Sequence, residues 1–199
     1  VVMNGSNLID GVNGLFGYTA LIQLFSIVII AYKFNEIEIM NFSILFACPL
    51  LIFLLFNFPR GKIFIGDLGA YFYGFILSCL VITLFGKNNN LLTWLAVLIL
   101  FYPCMELLFS YIRKIIKNVS PLKADDKHMH TMIYKRFNKK YNSFFSSVLT
   151  LFSLSPFIIY SLLASIYLND DLVLLSASLL IMIFLYLINY NFYKERDSI

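Results

Sequence analysis

Six mostly apolar stretches, at 15–32, 42–58, 70–85, 91–112, 144–167 and 172–190, alternate with polar breaks along the chain. Each stretch is near the length of about 20 residues that a helix needs to cross a hydrocarbon core of about 30 Å, and two are slightly short. The pattern predicts an all-α fold: a polytopic integral membrane helical bundle with about six transmembrane helices, forming one membrane domain over 1–199. Composition agrees with this. The 199 residues are 60% hydrophobic and 13% charged, with a mean hydropathy of +0.82. A soluble domain has about half apolar and about a quarter charged residues.

Charge adds an orientation. The breaks at 1–14, 59–69 and 113–143 and the C-terminal tail hold all but Lys33 and Lys87 of the fifteen Lys and Arg residues. Alternating crossings put those breaks on one side, and the positive-inside rule makes that side cytoplasmic. The turns at 35–41, 87–90 and 169–171 then face outward and are too short to hold a domain. The net charge of +4 is explained by this topology, and no nucleic-acid partner is expected. Cys48, Cys79 and Cys104 lie in apolar runs without metal-like spacing and read as small buried hydrophobes. The chain starts at Val1, with no initiating Met and no signal peptide, so an N-terminally truncated piece of a larger protein is expected.

The polar breaks carry the candidate chemistry. Residues 3–15 crowd Gly, Asn and Asp together in the order N-x-x-N-x-x-D-G-x-N-G-L, with Asn4, Asn7, Asp10, Gly11, Asn13, Gly14 and Leu15. Such a composition suits turns better than a helix interior and reads as a shaped polar loop. The second break ends in Gly66-Asp67-Leu68-Gly69-Ala70, where Asp67 either caps the next helix or serves a ligand. The third contains Ser120, Pro121, Asp125, Asp126, Lys127, His128 and His130. Two residues apart, the histidines would point to different faces of a helix, a poor chelating pair, so zinc is not expected. A polybasic segment on anionic lipid headgroups is the plainer reading of this loop. Glu106 sits about 9 Å along its helix from the cytoplasmic end of its span. An acid at such depth either faces a cavity or snorkels toward a partner such as Arg113.

These three islands resemble the signature of the polyprenyl-phosphate N-acetylhexosamine-1-phosphate transferases, in the branch that uses UDP-GlcNAc and is related to phospho-N-acetylmuramoyl-pentapeptide transferase. The resemblance covers the C-terminal part of such an enzyme. It implies a bacterial inner-membrane, multi-pass enzyme with a cytoplasmic active site. That enzyme would move a sugar-1-phosphate from a UDP-N-acetylhexosamine to polyprenyl phosphate, release UMP and start an envelope polysaccharide. It implies Mg²⁺, with Mn²⁺ as a substitute, ligated by Asp67, and catalytic roles for Asp10, Asp67, His128 and His130. Substrate contacts would come from Asn4, Asn7, Asn13, Lys127, Asp125 and Glu106. Ala70 stands where the family pattern has Ser, Thr131 stands in the His-rich element, and Asp126 stands where a basic residue is usual. The family's Asp-Asp-x-x-Asp element belongs to earlier spans, so this part alone is expected to be inactive. Dimers are common among such enzymes, and a homodimer is one expectation. A catalytically incomplete pseudo-enzyme and a transporter are the alternatives; only Pro156 is expected to interrupt a span near its middle.

Overall fold

The computed structural model describes residues 1–121, 126–168 and 171–197, with side chains as far as Lys194. Lys123, Asp125, Asn169, Asp170 and the Arg196 side chain lie outside the described residues. The described residues form only helices: α1 (Val2–Leu8), α2 (Leu15–Lys33), α3 (Ile37–Asn57), α4 (Gly66–Lys87), α5 (Thr93–Ile99), α6 (Phe101–Ile116), α7 (Met129–Asn138), α8 (Ser143–Tyr167) and α9 (Leu172–Asp197). Five of them, α2, α3, α4, α8 and the Leu172–Lys194 part of α9, are long and apolar enough to span a membrane, and α5 with α6 makes a sixth if the bent pair is one span. The protein is a multi-pass membrane helical bundle.

The fourth predicted span is not straight. It breaks at Leu100, where α5 and α6 meet at 82°. Pro103 lies in the first turn of α6. It has no N–H for the Ile99 carbonyl, and a proline sits at least cost in the first turn of a helix, where that N–H has no intrahelical partner, which favours ending α5 and starting α6 here. By contrast, α8 runs unbroken through Pro156 and α3 through Pro49. The interruption expected at Pro156 is therefore found ahead of Pro103.

The helix α2 is the core of the bundle. In its apolar window 67% of residues are buried, against 22% for α9, which turns most of its surface outward. Leu24, Ile27, Ile30 and Ala31 are wholly buried, and α2 packs on α3, α4, α5 and α8. Without water to satisfy polar groups, the hydroxyls of Thr19, Ser26, Ser43, Thr150 and Ser165 each donate to the carbonyl four residues earlier in their own helix. The cysteines differ from expectation: Cys48 and Cys79 are exposed and Cys104 half-buried, all three free. In a bilayer protein an apolar residue is as well satisfied on the outer face as in the core.

The loops sort to two ends. At one, the Lys33 ammonium donates to the Ser165 and Ile166 carbonyls at 3.1 and 2.6 Å, and Lys87 pairs with Glu36 at 3.5 Å. Asn88 also donates to Glu36 there, at 3.2 Å. The turns at 35–41 and 87–90 are thus in contact, and the end of α2 is tied to the end of α8. The other end gathers the three polar islands.

Candidate active site

The first island is not all loop. Residues 2–8 form the two-turn helix α1, wedged between α4 and α6. Small residues make that possible: a Cβ on Gly5 would stand 2.3 Å from the Pro103 carbonyl oxygen. The glycine that looked like a helix breaker is the contact that lets two backbones touch. The remainder, 9–14, is a tight turn closed by Gly14 at φ +84, whose N–H donates to the Asn57 side-chain oxygen at 2.6 Å. The other arm of Asn57 donates to the Ile63 carbonyl at 2.7 Å, so this one buried amide ties the first island to the 58–65 segment. Sequence reasoning missed Asn57. Its signal was a lone amide at the end of an apolar run.

Asn13 has a similar structural task. Its amide donates to the Pro59 carbonyl at 3.2 Å, and Gly61 packs against it. One of its donors is thus engaged by backbone, because the turn places it against 59–61. Asn4 is exposed on α1.

Asn7 and the two acids form the open edge of the site. The Asn7 amide donates to Asp67 Oδ1 at 2.8 Å across the α1–α4 interface. Asp67 is exposed in the first turn of α4, whose N-cap is Ile65, so it is not the cap residue, though its charge still faces the positive helix end. Asp10 is half-buried. Burial pushes its carboxyl up to about 6 and the nearby Asp67 charge adds to this, while an N–H from Gly66 acts the other way. Two carboxylates on adjoining elements, one poorly solvated, form an electron-rich edge that a cation would relieve.

Behind that edge lies a buried cluster. Glu106 is 1% exposed and accepts a hydrogen bond from the Tyr102 hydroxyl at 3.2 Å. Its oxygens lie 3.5 Å from His128 Nδ1 and 3.6 Å from His130 Nδ1. The imidazoles stack, with centroids 5.6 Å apart and an interplanar angle of 11°. The expected divergence of the two histidines is therefore wrong. His128 precedes α7 in extended conformation (φ −80, ψ 147), and alternate residues of an extended segment share a side. Glu106 does not snorkel toward Arg113, which instead donates to Ser110 Oγ at 3.2 Å. At 1% exposure Glu106 presents almost no surface of its own, and both imidazoles lie against it.

The far edge of His130 returns to the first island: a Cβ on Gly11 would lie 3.4 Å from His130 Nε2. The cluster is braced from α9, where the Tyr190 hydroxyl donates to the Lys127 carbonyl at 3.3 Å and the Arg136 guanidinium stands 5.7 Å over the rings of Phe192 and Tyr193. The Lys127 side chain is exposed, and Asp126 pairs with Lys135, which holds its carboxyl below the usual range. Asn7, Asp10, Asp67, His128, His130 and Glu106 thus meet at one end. Asp125 lies outside the described residues.

Among the described residues no group of three His, Cys, Asp or Glu side chains could hold a metal alone. Asp10 and Asp67 still fit a hard cation that arrives with phosphates, which needs only one or two carboxylates and keeps oxygen ligands from its substrate.

Residues 1–85, which hold the first two islands, match the model of glycosyl transferase family 4. The chain is 34% identical over 131 residues to a probable undecaprenyl-phosphate N-acetylglucosaminyl 1-phosphate transferase of Bacillus subtilis, covering 65% of this chain and 36% of that protein. It is 28% identical over 138 residues to the undecaprenyl-phosphate alpha-N-acetylglucosaminyl 1-phosphate transferase of Thermotoga maritima, covering 69% and 41%. It is 40% identical over 81 residues to the phospho-N-acetylmuramoyl-pentapeptide-transferase of Dictyoglomus turgidum, covering 41% and 26%. The chain therefore spans roughly two fifths or less of the length of these curated relatives. No solved structure matches it.

Proposed function

We propose that this chain supplies the site of a transferase that moves an N-acetylhexosamine-1-phosphate from a UDP-linked donor to polyprenyl phosphate at the cytoplasmic face of the bacterial inner membrane. The observation that carries this is the meeting of three separated segments at the basic end of the bundle, through Asn7 on Asp67 and Gly11 against His130. The relatives' names supply the class of transferred group and of acceptor.

In the reaction a phosphate oxygen of the lipid attacks the sugar-proximal phosphorus of the donor. The bond from that phosphorus to the bridging oxygen breaks, and UMP leaves with the electron pair. One pyrophosphate linkage replaces another, so the barrier lies mainly in bringing anions together and aligning them. Asp67 and Asp10 would hold Mg²⁺, or Mn²⁺ in its place, and the bound ion would neutralise diphosphate charge. Asn7 fixes the Asp67 carboxylate by donating to one of its oxygens. Glu106, facing Nδ1 of both imidazoles, leaves His130 Nε2 directed at the 10–14 turn, where it can meet an anionic oxygen. The exposed Lys127 would contact the same anions, and the lipid tail would stay in the hydrocarbon beside the spans.

The test is turnover by the full-length protein in membranes with a panel of UDP-amino-sugars, undecaprenyl phosphate and Mg²⁺. Lipid-linked sugar and UMP should form in equal amounts, and Asp67→Asn should abolish both. Unchanged turnover in Asp67→Asn would refute the role given to that carboxylate, and no product from any donor would refute the reaction.

A further inference from the structure

We propose that the cleft between the C-terminal end of α3, the 58–63 loop and the start of α8 binds the headgroup of an anionic phospholipid, at a place distinct from the nucleotide-sugar site. The cleft has a volume of about 290 Å³ and places the cations of Arg60 and Lys62 at one mouth with the Phe144 ring. The Arg60 guanidinium stands 5.9 Å over that ring, which orients it. Neither cation is ion-paired with a carboxylate among the described residues. Two adjacent cations without a protein counter-ion form a site for a phosphate diester.

Depth selects a lipid. The same cleft is walled by Leu55 and Phe56, and the ridge of Leu51, Ile52, Leu55 and Phe56 on the outer face of α3 is 47–79% exposed. That ridge lies on the last two turns of a membrane-spanning helix, just ahead of the loop that carries the two cations, so a ligand with a phosphate at the cations and acyl chains along the ridge would be complementary to both. The cradle is preformed. The Gly61 N–H donates to the Asn57 carbonyl at 2.6 Å, the Lys62 N–H to the Phe56 carbonyl at 3.0 Å, and Asn57 holds the Ile63 carbonyl. Since Asn57 and Asn13 also hold this loop against the 9–14 turn, a headgroup seated here braces the loop that frames the candidate active site. The inference rests on reading this end as the cytoplasmic face, where anionic lipids are concentrated.

The experiment is lipid retention by delipidated full-length protein in detergent, followed by native mass spectrometry with phosphatidylglycerol and phosphatidylcholine as probes. Phosphatidylglycerol should bind in preference, and Arg60→Gln with Lys62→Gln should weaken it about 25-fold, at about fivefold per cation. The charge-preserving pair Arg60→Lys with Lys62→Arg should retain binding, which separates charge from folding. Binding of UDP with Mn²⁺ should be unchanged in both pairs, so failure of the transferase reading would leave this result intact. Equal retention of the two lipids, or full retention by the neutral pair, would overturn the proposal. Displacement by inorganic phosphate at comparable affinity would make the cleft a soluble-anion site, and binding of undecaprenyl phosphate in place of phosphatidylglycerol would make it the acceptor site; either outcome overturns it.

Discussion

Replacing Glu106 by Gln keeps the side chain's volume and removes its charge at a point where three polar groups converge. In the native arrangement the buried carboxylate accepts from Tyr102 at 3.2 Å and faces His128 and His130 at 3.5 and 3.6 Å. A hydrogen bond to a charged group contributes about 1.5–3 kcal/mol. The imidazole distances exceed the 2.7–2.9 Å typical of strong charge-assisted bonds, so the two contacts together are placed at about 1.5–3 kcal/mol. If that energy serves to hold His130 Nε2 toward the 10–14 turn, its loss falls on the transition state, and kcat should drop about 10- to 100-fold at about 1.4 kcal/mol per decade. The KM for the donor should change little, since Glu106 is 1% exposed. Turnover in membranes and thermal unfolding, measured side by side, separate positioning from collapse. Glu106→Asp, which keeps the charge, should recover part of the rate while Glu106→Gln does not. A Glu106→Gln protein with native kcat, or one whose loss is entirely explained by lowered melting temperature, would refute the positioning role.

Other outcomes follow from particular contacts. Gly5→Ala should destabilise the full-length protein by about 1–3 kcal/mol, because the new methyl would meet the Pro103 backbone at 2.3 Å and neither helix can yield as a side chain would. Gly86→Ala, within α4 and with nothing within 4 Å, should not lower melting and should raise it slightly through helix propensity. Asn57→Leu leaves the Gly14 N–H and the Ile63 carbonyl without their partner, at about 1–3 kcal/mol for each group that water does not reach, and hydrogen exchange in 58–63 should quicken before global unfolding. In protein freed of divalent cations, the Asp10 carboxyl binds its proton more tightly folded, at about 6, than at its ordinary 3.8. Between those values the folded state holds more protons, so stability should fall as pH rises through that window; Asp67→Asn, by removing a like charge, should shrink the decline. Melting temperature against pH in chelator measures it, and a rise over the window would reverse the assigned sign.

The gross fold was legible because a bilayer imposes a length on apolar helices and a sign on their loops; five spans and the gathering of polar islands at one end follow from those constraints. What was not legible depended on neighbours. Residues 2–8 read as loop because Gly and Asn disfavour isolated helices, yet Gly5 is buried against α6 and the packing stabilises α1. The break at Leu100 lies in an unbroken apolar run, and its cause is three residues downstream at Pro103. The orientation of the histidines turned on where α7 begins, which no periodicity in so short a helix reveals. Asn13 and Asn57 look alike as isolated amides; only the folded 58–65 segment shows that both hold backbone.

The central claim is that the first two polar segments share one metal-diphosphate site with Asp67 as a ligand. Mn²⁺ placed in the full-length protein with UDP, observed by electron–nuclear double resonance, tests it most directly. The account predicts phosphorus hyperfine coupling to bound Mn²⁺ in the native protein and its loss in Asp67→Asn. Coupling of undiminished strength in Asp67→Asn would contradict it.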